Sequence, residues 1–587
     1  MKRFVHLLLV LALAVTALST FSTGPARAQE GPTGTWFGTW PYILPPEHHL
    51  NAFSEGGLNT NLGVVYKSFV LLPPAFMMWA TNEYEPLLAS EWGFEEDGSA
   101  YFLTLNADAT WSDGTPVTSD DVLATYAIGR ILDWAQYDYI ADVEKVDDKT
   151  VRFVFSGEPS MLAERLILKE YVAPAATYGE LAARAVEVYE SGVAMDDESW
   201  TTLRSEIEAF RPEELLASGP YIYTLDDVGD SYMTLRWQPN SLFSDQVKFG
   251  ELRLWAGETE ATAPLVLSGD LAHSTNVYPP STQEAFTNAG IRMVDLPRGY
   301  GPAVLFNFDV YPWNVKEVRQ AAALVIERSE NAFLTNGFGA TPTIYMAGLP
   351  DEMVPVWLPE DVIDQLDHYD FDPDRAAALL EGAGFSKNDD GIWADADGVT
   401  LSGEFKFAAE FADFSGMAQN ATDQMNEFGF DITARAVPWQ ESAEDIRNGE
   451  FDISVWSWSS ASPFPSRMFF APIQRFNYVG LPEGQNGMNF PMEFEWNGEM
   501  INLDEMINNT SAGLDIEQQK QLAGEVALII NQLMPFIPTN TLLSVEPLNE
   551  ALISGTPSDD DPILQNPSGS GDHFIIYYIL TGVLGPV

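Results

Sequence analysis

Cysteine is absent from all 587 residues. That excludes disulfides, thiolate metal centres and cysteine nucleophiles at once, together with the modified cysteine that a lipoprotein carries at its cleavage site. The fold must therefore be held by burial alone, which this length permits, and the length suggests two or more lobes. Basic residues are scarce, 29 Lys and Arg against 86 Asp and Glu. Such a field repels nucleic acid and anionic lipid surfaces, so no nucleic-acid partner is expected. The acid is spread along the chain and reads as a solvated surface, with a saline habitat as one explanation. The six histidines are scattered, and the pair His48-His49 points two ways in regular structure, which disfavours a shared metal. Asp395-Ala396-Asp397-Gly398 lacks the third ligand and closing Glu of a calcium loop. Neither a Gly-x-Ser-x-Gly elbow nor a phosphate-cradling Gly-Lys-Ser loop occurs. The pairs Asp120-Asp121 and Asp389-Asp390 are expected by chance in so acidic a chain. No catalytic residue, metal or cofactor is implied.

Long apolar runs are also missing beyond the first residues. Val526 to Leu543 is interrupted by Asn531, Gln532, Pro535 and Pro538, so it reads as a buried helix that ends at the prolines. What is present at the start is a secretory signal peptide, residues 1–28. Lys2 and Arg3 precede an apolar run from Phe4 to about Leu18, and Ala26-Arg27-Ala28 gives the small-x-small cleavage pattern. Without it the chain carries 26 basic and 86 acidic residues, a net charge of −60. Apolar content of 46% and aromatic content of 12% exclude disorder.

Local patterns predict a mixed α/β chain. Thr35 to Trp40 reads as a strand, Leu62 to Phe69 as a short helix and Ala100 to Leu105 as a strand. Thr118 or Ser119 caps a helix from Asp120 to Leu132, and Val143–Val146 with Thr150–Phe155 forms a hairpin. Residues 160–216 read as helices, with Glu187 to Arg211 as a surface insertion. Strands follow at Tyr221–Leu225, Ser231–Trp237 and Glu251–Trp255, and a short helix at Thr262–Ser268. A second lobe starts near Pro297 to Gly301. It continues with a strand at Ala303–Phe308, a helix at Val315–Arg328 and a helix at Arg375–Ala383 opened by Asp372-Pro373-Asp374. Strand and helix then alternate through Leu401–Phe407, Ser415–Phe428, Asp431–Val437, Ser442–Asn448 and Asp452–Trp456. The apolar run Phe574 to Leu580 reads as a final strand that docks back onto a lobe.

The order of several segments resembles solute-binding protein family 5, associated with importers of oligopeptides, dipeptides, nickel and oligosaccharides. The fullest match is Ser112-Asp113-Gly114-Thr115-Pro116-Val117-Thr118-Ser119-Asp120-Asp121-Val122. Leu87–Trp92, Ser218-Gly219-Pro220-Tyr221, Phe306-Asn307-Phe308, Tyr369 through Phe385 and Ile446–Ile453 are similar in turn. The resemblance implies an extracytoplasmic carrier, not an enzyme. Its fold would be the two-lobed periplasmic-binding-protein type (type II, cluster C-like), with an extra subdomain in the first lobe. The implied layout is first lobe at 29–70, subdomain at 71–216, first lobe again at 217–298, second lobe at 299–540 and a return to the first lobe at 541–587. A small-molecule ligand would lie between the lobes of a monomer, which would deliver it to ABC permease subunits at the membrane.

Peptide-binding relatives follow the Asp452–Val455 strand with a Gly- and Asp-rich loop whose aspartate pairs with the peptide ammonium. Here the loop reads Trp456-Ser457-Trp458-Ser459-Ser460-Ala461-Ser462-Pro463-Phe464-Pro465, with no acid. An ammonium buried there would lack its counter-charge. Aromatic faces and hydroxyls suit a sugar instead. Trp456 and Trp458 share one face of a strand. Trp36, Trp40, Trp439, Ser459, Ser460 and Asn486 complete the candidate set; against it stands core packing, the commoner role of a single tryptophan. The expected ligand is an oligosaccharide, the alternative an oligopeptide. A secreted glycoside hydrolase, the enzyme class to weigh against a carrier, would need two carboxylates facing across a cleft at a defined separation. A chemoreceptor partner is the third class.

Overall fold

A computed structural model describes residues 31–40, 48–54, 57–257, 259–276 and 278–587. The signal peptide lies outside the described residues. No described helix is long and apolar enough to cross a membrane. The chain forms two α/β lobes. The first holds a four-stranded sheet in the order Gly34–Thr39, Phe249–Trp255, Tyr232–Trp237, Tyr221–Ile222, and a second, antiparallel sheet ordered Ala89–Phe94, Ala100–Leu105, Thr150–Phe155, Ile140–Lys145. One apolar cluster runs beneath both sheets.

The second lobe is built on a five-stranded sheet ordered Asp431–Val437, Ser402–Ala408, Ile453–Trp458, Gly301–Phe306, Phe536–Pro538. Its strand Gly301–Phe306 is buried from end to end, because both faces of the sheet are covered. Val304 and Phe306 enter one apolar cluster, Ala303 and Leu305 the other, as the two-residue period of a strand requires.

Two chain crossings join the lobes, and they lie side by side. Arg298 N donates to Leu542 O (3.1 Å) and Leu542 N to Tyr300 O (2.9 Å). The strand Asn540–Leu548 pairs with Arg292–Pro297 of the first lobe and Ala340–Pro342 of the second. Gly301 is required at this junction: a Cβ there would lie 1.8 Å from Asn540 O.

Where chemistry is local, the elements follow the sequence. The helix Ser119–Ile131 begins with a capping box between Thr118 and Asp121. Asp372 caps the helix Pro373–Gly382 by accepting from Arg375 N. Three expectations are corrected. Phe574–Leu580 is a helix, capped by the His573 side chain accepting from Ile575 N. Five of its seven residues are buried, in the first-lobe core, so it shows no amphipathic period that could have separated helix from strand. The expected helix Val315–Arg328 is two helices, Lys316–Val325 and Arg328–Asn336. Ile326 and Glu327 are extended between them, and the Glu327 carboxylate caps the second. Within Glu187–Arg211, Trp200, Leu203 and Ile207 are buried in the core, so this stretch is part of the lobe and not a surface insertion.

A buried cluster ties the crossing strand to the first lobe. His273 Nε2 lies 2.6 Å and His573 Nε2 3.0 Å from Glu546 Oε2, and Ser544 Oγ donates to Glu546 Oε1 at 2.9 Å. His573 Nδ1 already accepts the Ile575 N–H, so its proton sits on Nε2 and points at the carboxylate. These are ligand-type side chains, but a metal would have to displace that proton and break the helix cap. The arrangement is a hydrogen-bonded clasp. Burial alone would push the Glu546 carboxyl up; His573 and His273 outweigh it and hold it down to about 2.

Candidate ligand-binding cleft

The lobes meet over a cavity of about 220 Å³. Trp79 and Asn82 reach it from the first lobe, Gly299 from a crossing segment, and Glu352, Trp357 and Ser460 from the second. Trp79 follows the strand Ala75–Met78 and is fixed from behind. Its backbone N donates to Asn566 Oδ1 (2.9 Å), its Nε1 to Asp572 Oδ2 (3.2 Å), and the Arg165 guanidinium lies 5.4 Å from its ring. Asp572 in turn pairs with Arg165 (2.8 Å) and Lys169 (2.6 Å). Burial opposes ionisation of Asp572, and those two cations overcome it, holding the carboxyl far below the ordinary range. Trp357 is nearly enclosed, with Nε1 donating to Pro463 O at 2.9 Å. It thereby fixes the loop after the strand Ile453–Trp458 in place. A second hollow of about 400 Å³ shares Asn82 and is lined by Glu83, Glu85 and Glu164 with Tyr84, Trp92 and Phe464. Neither lining includes a Lys, Arg or His among the described residues.

Beyond the cavity the lobes touch through the start of the helix Met161–Lys169. Ser160 Oγ accepts from Leu162 N (3.1 Å), capping the helix, and donates to Ser511 O of the second lobe (3.0 Å). Leu162 packs into a second-lobe cluster with Phe464 and Met468.

Of the eight residues singled out in the sequence, Ser460 lines the cavity; its Oγ donates to Arg467 O at 2.9 Å. Trp36 does not present a face to ligand. It is fully buried between Phe249 and His273, its Nε1 3.4 Å from Tyr66 Oη. Trp458 is likewise fully buried, its Nε1 donating to Asn540 O (3.0 Å) at the lobe crossing. Trp456 does share a strand face with Trp458, but it is half-buried where Trp458 is sealed. Its ring meets Phe411, Phe414 and Phe476 edge-on. Trp439 is exposed at the start of the helix Trp439–Asn448, stacked at 6.5 Å on Phe411. Trp40 is half-buried against the first-lobe core, over Gly63. Ser459 is buried with φ of 60° and Asn486 is exposed; neither lines the cavity. The loop reaches the cavity through Ser460, Ser462 and Pro463, whereas Trp79, Glu352 and Trp357 carried no local signal that set them apart.

Two α/β lobes, crossed twice and closed over a central cavity, define a binding-protein fold. Residues 83–474 match the bacterial extracellular solute-binding proteins, family 5 Middle, and the chain belongs to that family. A probable ABC transporter-binding protein of Deinococcus radiodurans is 23% identical over 394 residues. The match covers 62% of each chain, so this chain spans less than two thirds of that relative's length. A crystal structure of a periplasmic oligopeptide-binding protein from Thermotoga maritima superposes with a TM-score of 0.74 at 19% identity, covering 95% of this chain and 100% of the other. A mannohexaose-bound structure of the same protein superposes at 0.66, also at 19% identity, covering 95% and 99%. The oligopeptide-binding protein AppA of Bacillus subtilis, in complex with a nonapeptide, superposes at 0.62 and 15% identity, covering 95% and 99%. At these identities the likeness establishes the two-lobed fold.

Proposed function

We propose that this protein is the extracytoplasmic capture component of an ABC importer, a carrier without catalysis of its own, and that it takes an oligopeptide between its lobes. The observation that carries the peptide reading is the fate of the paired indoles. A sugar platform built on Trp456 and Trp458 needs two open faces, but Trp458 is sealed in the core, and Trp456 is half-buried with three phenylalanines edge-on around it. The cavity is instead lined mainly by apolar side chains, among them Trp79, Met353, Val356 and Trp357, with Asn82, Glu352, Ser460, Ser462 and Gln565 as its polar groups, a mixture suited to the side chains and polar ends of a peptide. The nonapeptide-bound relative supports the same reading. Lobe closure would follow from the ligand's greater affinity for the closed arrangement. The closed form would be the one the permease subunits recognise. Removal of the signal peptide, residues 1–28, would leave the mature carrier outside the cytoplasmic membrane. Residues 71–216, which include the sheet of residues 89–155 and the helices after it, would make up the extra subdomain.

An oligosaccharide is the second reading. Trp79 supplies one indole beside the cavity, and a protein of this fold holds mannohexaose. Tryptophan fluorescence separates the two, since Trp79 and Trp357 border the cavity. Saturable changes with a panel of peptides, and none with mannose or glucose oligomers, are expected. Saturation by oligosaccharides alone would reject the peptide reading.

A further inference from the structure

Among the described residues, Glu352 is the one charged side chain in the lining of the cavity between the lobes. It stands in the short helical turn Asp351–Met353, just before Trp357, and faces Trp79 and Asn82 across the cleft. Its neighbour Asp351 is occupied, accepting from Ile344 N (2.8 Å) and Tyr345 N (3.2 Å). The Glu352 carboxylate, by contrast, is influenced by no cation and by no hydrogen bond from another described residue, only by its own backbone N–H and by Asp351. The side chain is still open to solvent. Yet the surrounding protein is dense enough to push its carboxyl upward, its own backbone N–H opposing and Asp351 adding to the rise. A ligand that fills the cavity would strip the remaining water from this carboxylate. Without a counter-charge that step is costly. The adjoining hollow, bordered by Glu83, Glu85 and Glu164, has no cation in its lining among the described residues, and Arg165 behind it is already paired with Asp572.

Resting on the peptide reading above, we propose that Glu352 receives an ammonium group of the ligand in the interlobe cavity. It would supply from the Pro350–Trp357 segment the counter-charge that is missing from the loop after Trp458. The ammonium would lie among Glu352, Trp79 and Trp357, where a carboxylate and indole faces together suit a cation. Its source is either the peptide's own amino terminus or a lysine side chain.

The test uses the mature protein and three synthetic hexapeptide pools: lysine-free with free amino termini, the same pool N-acetylated, and an N-acetylated pool containing lysine. Binding is read by competition in native mass spectrometry and by calorimetry. At least a tenfold preference for one or both amine-bearing pools over the acetylated lysine-free pool is expected. Glu352→Gln should erase that preference, while Glu360→Gln, outside the cavity, should leave it intact. Equal binding of all three pools, or an undiminished preference in Glu352→Gln, would overturn the assignment while leaving peptide binding standing. Failure of every pool, with oligosaccharides binding, would overturn both. Because Glu352 is solvent-open and unpaired, its replacement should not move the thermal midpoint, which separates lost recognition from lost folding.

Discussion

Ser160 makes two hydrogen bonds that belong to different equilibria, and this allows a sharp test of lobe closure. Its Oγ accepts from Leu162 N within the first lobe, and donates to Ser511 O across the interface. The cap persists whether the lobes are open or closed, so losing it lowers stability by about 1 kcal/mol without shifting closure. The cross-lobe bond exists only when the lobes meet, and a net hydrogen bond is worth about 1 kcal/mol. Ser160→Ala should therefore weaken ligand binding about fivefold, since affinity scales with the population of the closed state. Ser160→Asp separates the two effects. A carboxylate keeps the cap but cannot donate to Ser511 O, and leaves a charge against a carbonyl. Binding should then fall roughly 10- to 100-fold with the helix intact. Calorimetry gives the affinities, small-angle scattering the closed fraction, and thermal unfolding the stability. If Ser160→Ala loses stability but binds within twofold of wild type, the bond to Ser511 plays no part in closure and the reasoning fails.

Two further outcomes concern the whole molecule. Glu546 has its carboxyl held down to about 2 from an ordinary 4.5, so its contribution is fully present above pH 4.5 and is lost as pH falls towards 2. Glu546→Gln should cost about 3 kcal/mol at neutral pH, and the gap from wild type in urea unfolding should narrow under acid; a pH-independent gap would contradict the clasp. The excess of acid, 86 residues against 29 basic, predicts self-repulsion that salt screens. Raising NaCl from about 0.05 M to about 1 M should raise the unfolding midpoint, and an unchanged midpoint would show that the surface acids are well separated.

What the sequence could reveal was whatever depends on near neighbours. The strands Ala100–Leu105 and Asp431–Val437 were legible to the residue because their flanking turns mark both ends. Asp372-Pro373 announced a helix start for the same reason. The alternation that put Trp456 and Trp458 on one strand face was also correct. Which face is covered depends on what packs there, and the helix Ile516–Leu533, with Met468 and Phe469, supplies that cover from elsewhere in the chain. Trp36 misled in the same way: its strand is plain in the sequence, but the Phe249 and His273 that enclose it are more than 200 residues away. The cavity is harder still. Trp79, Glu352, Ser460 and Gln565 come from four distant segments, and no local pattern records their meeting.

The helix Phe574–Leu580 has a consequence for biogenesis. The second lobe draws its central sheet from one continuous stretch, Gly301 to Pro538, and can assemble as that stretch emerges. The amino-terminal lobe cannot, because its interior stays open until synthesis has passed Leu580 and the last helix plugs it. Contacts between such remote parts of a chain form slowly. A newborn polypeptide would thus remain loose enough at its leading end to be threaded through a membrane pore, and would become rigid only on the far side.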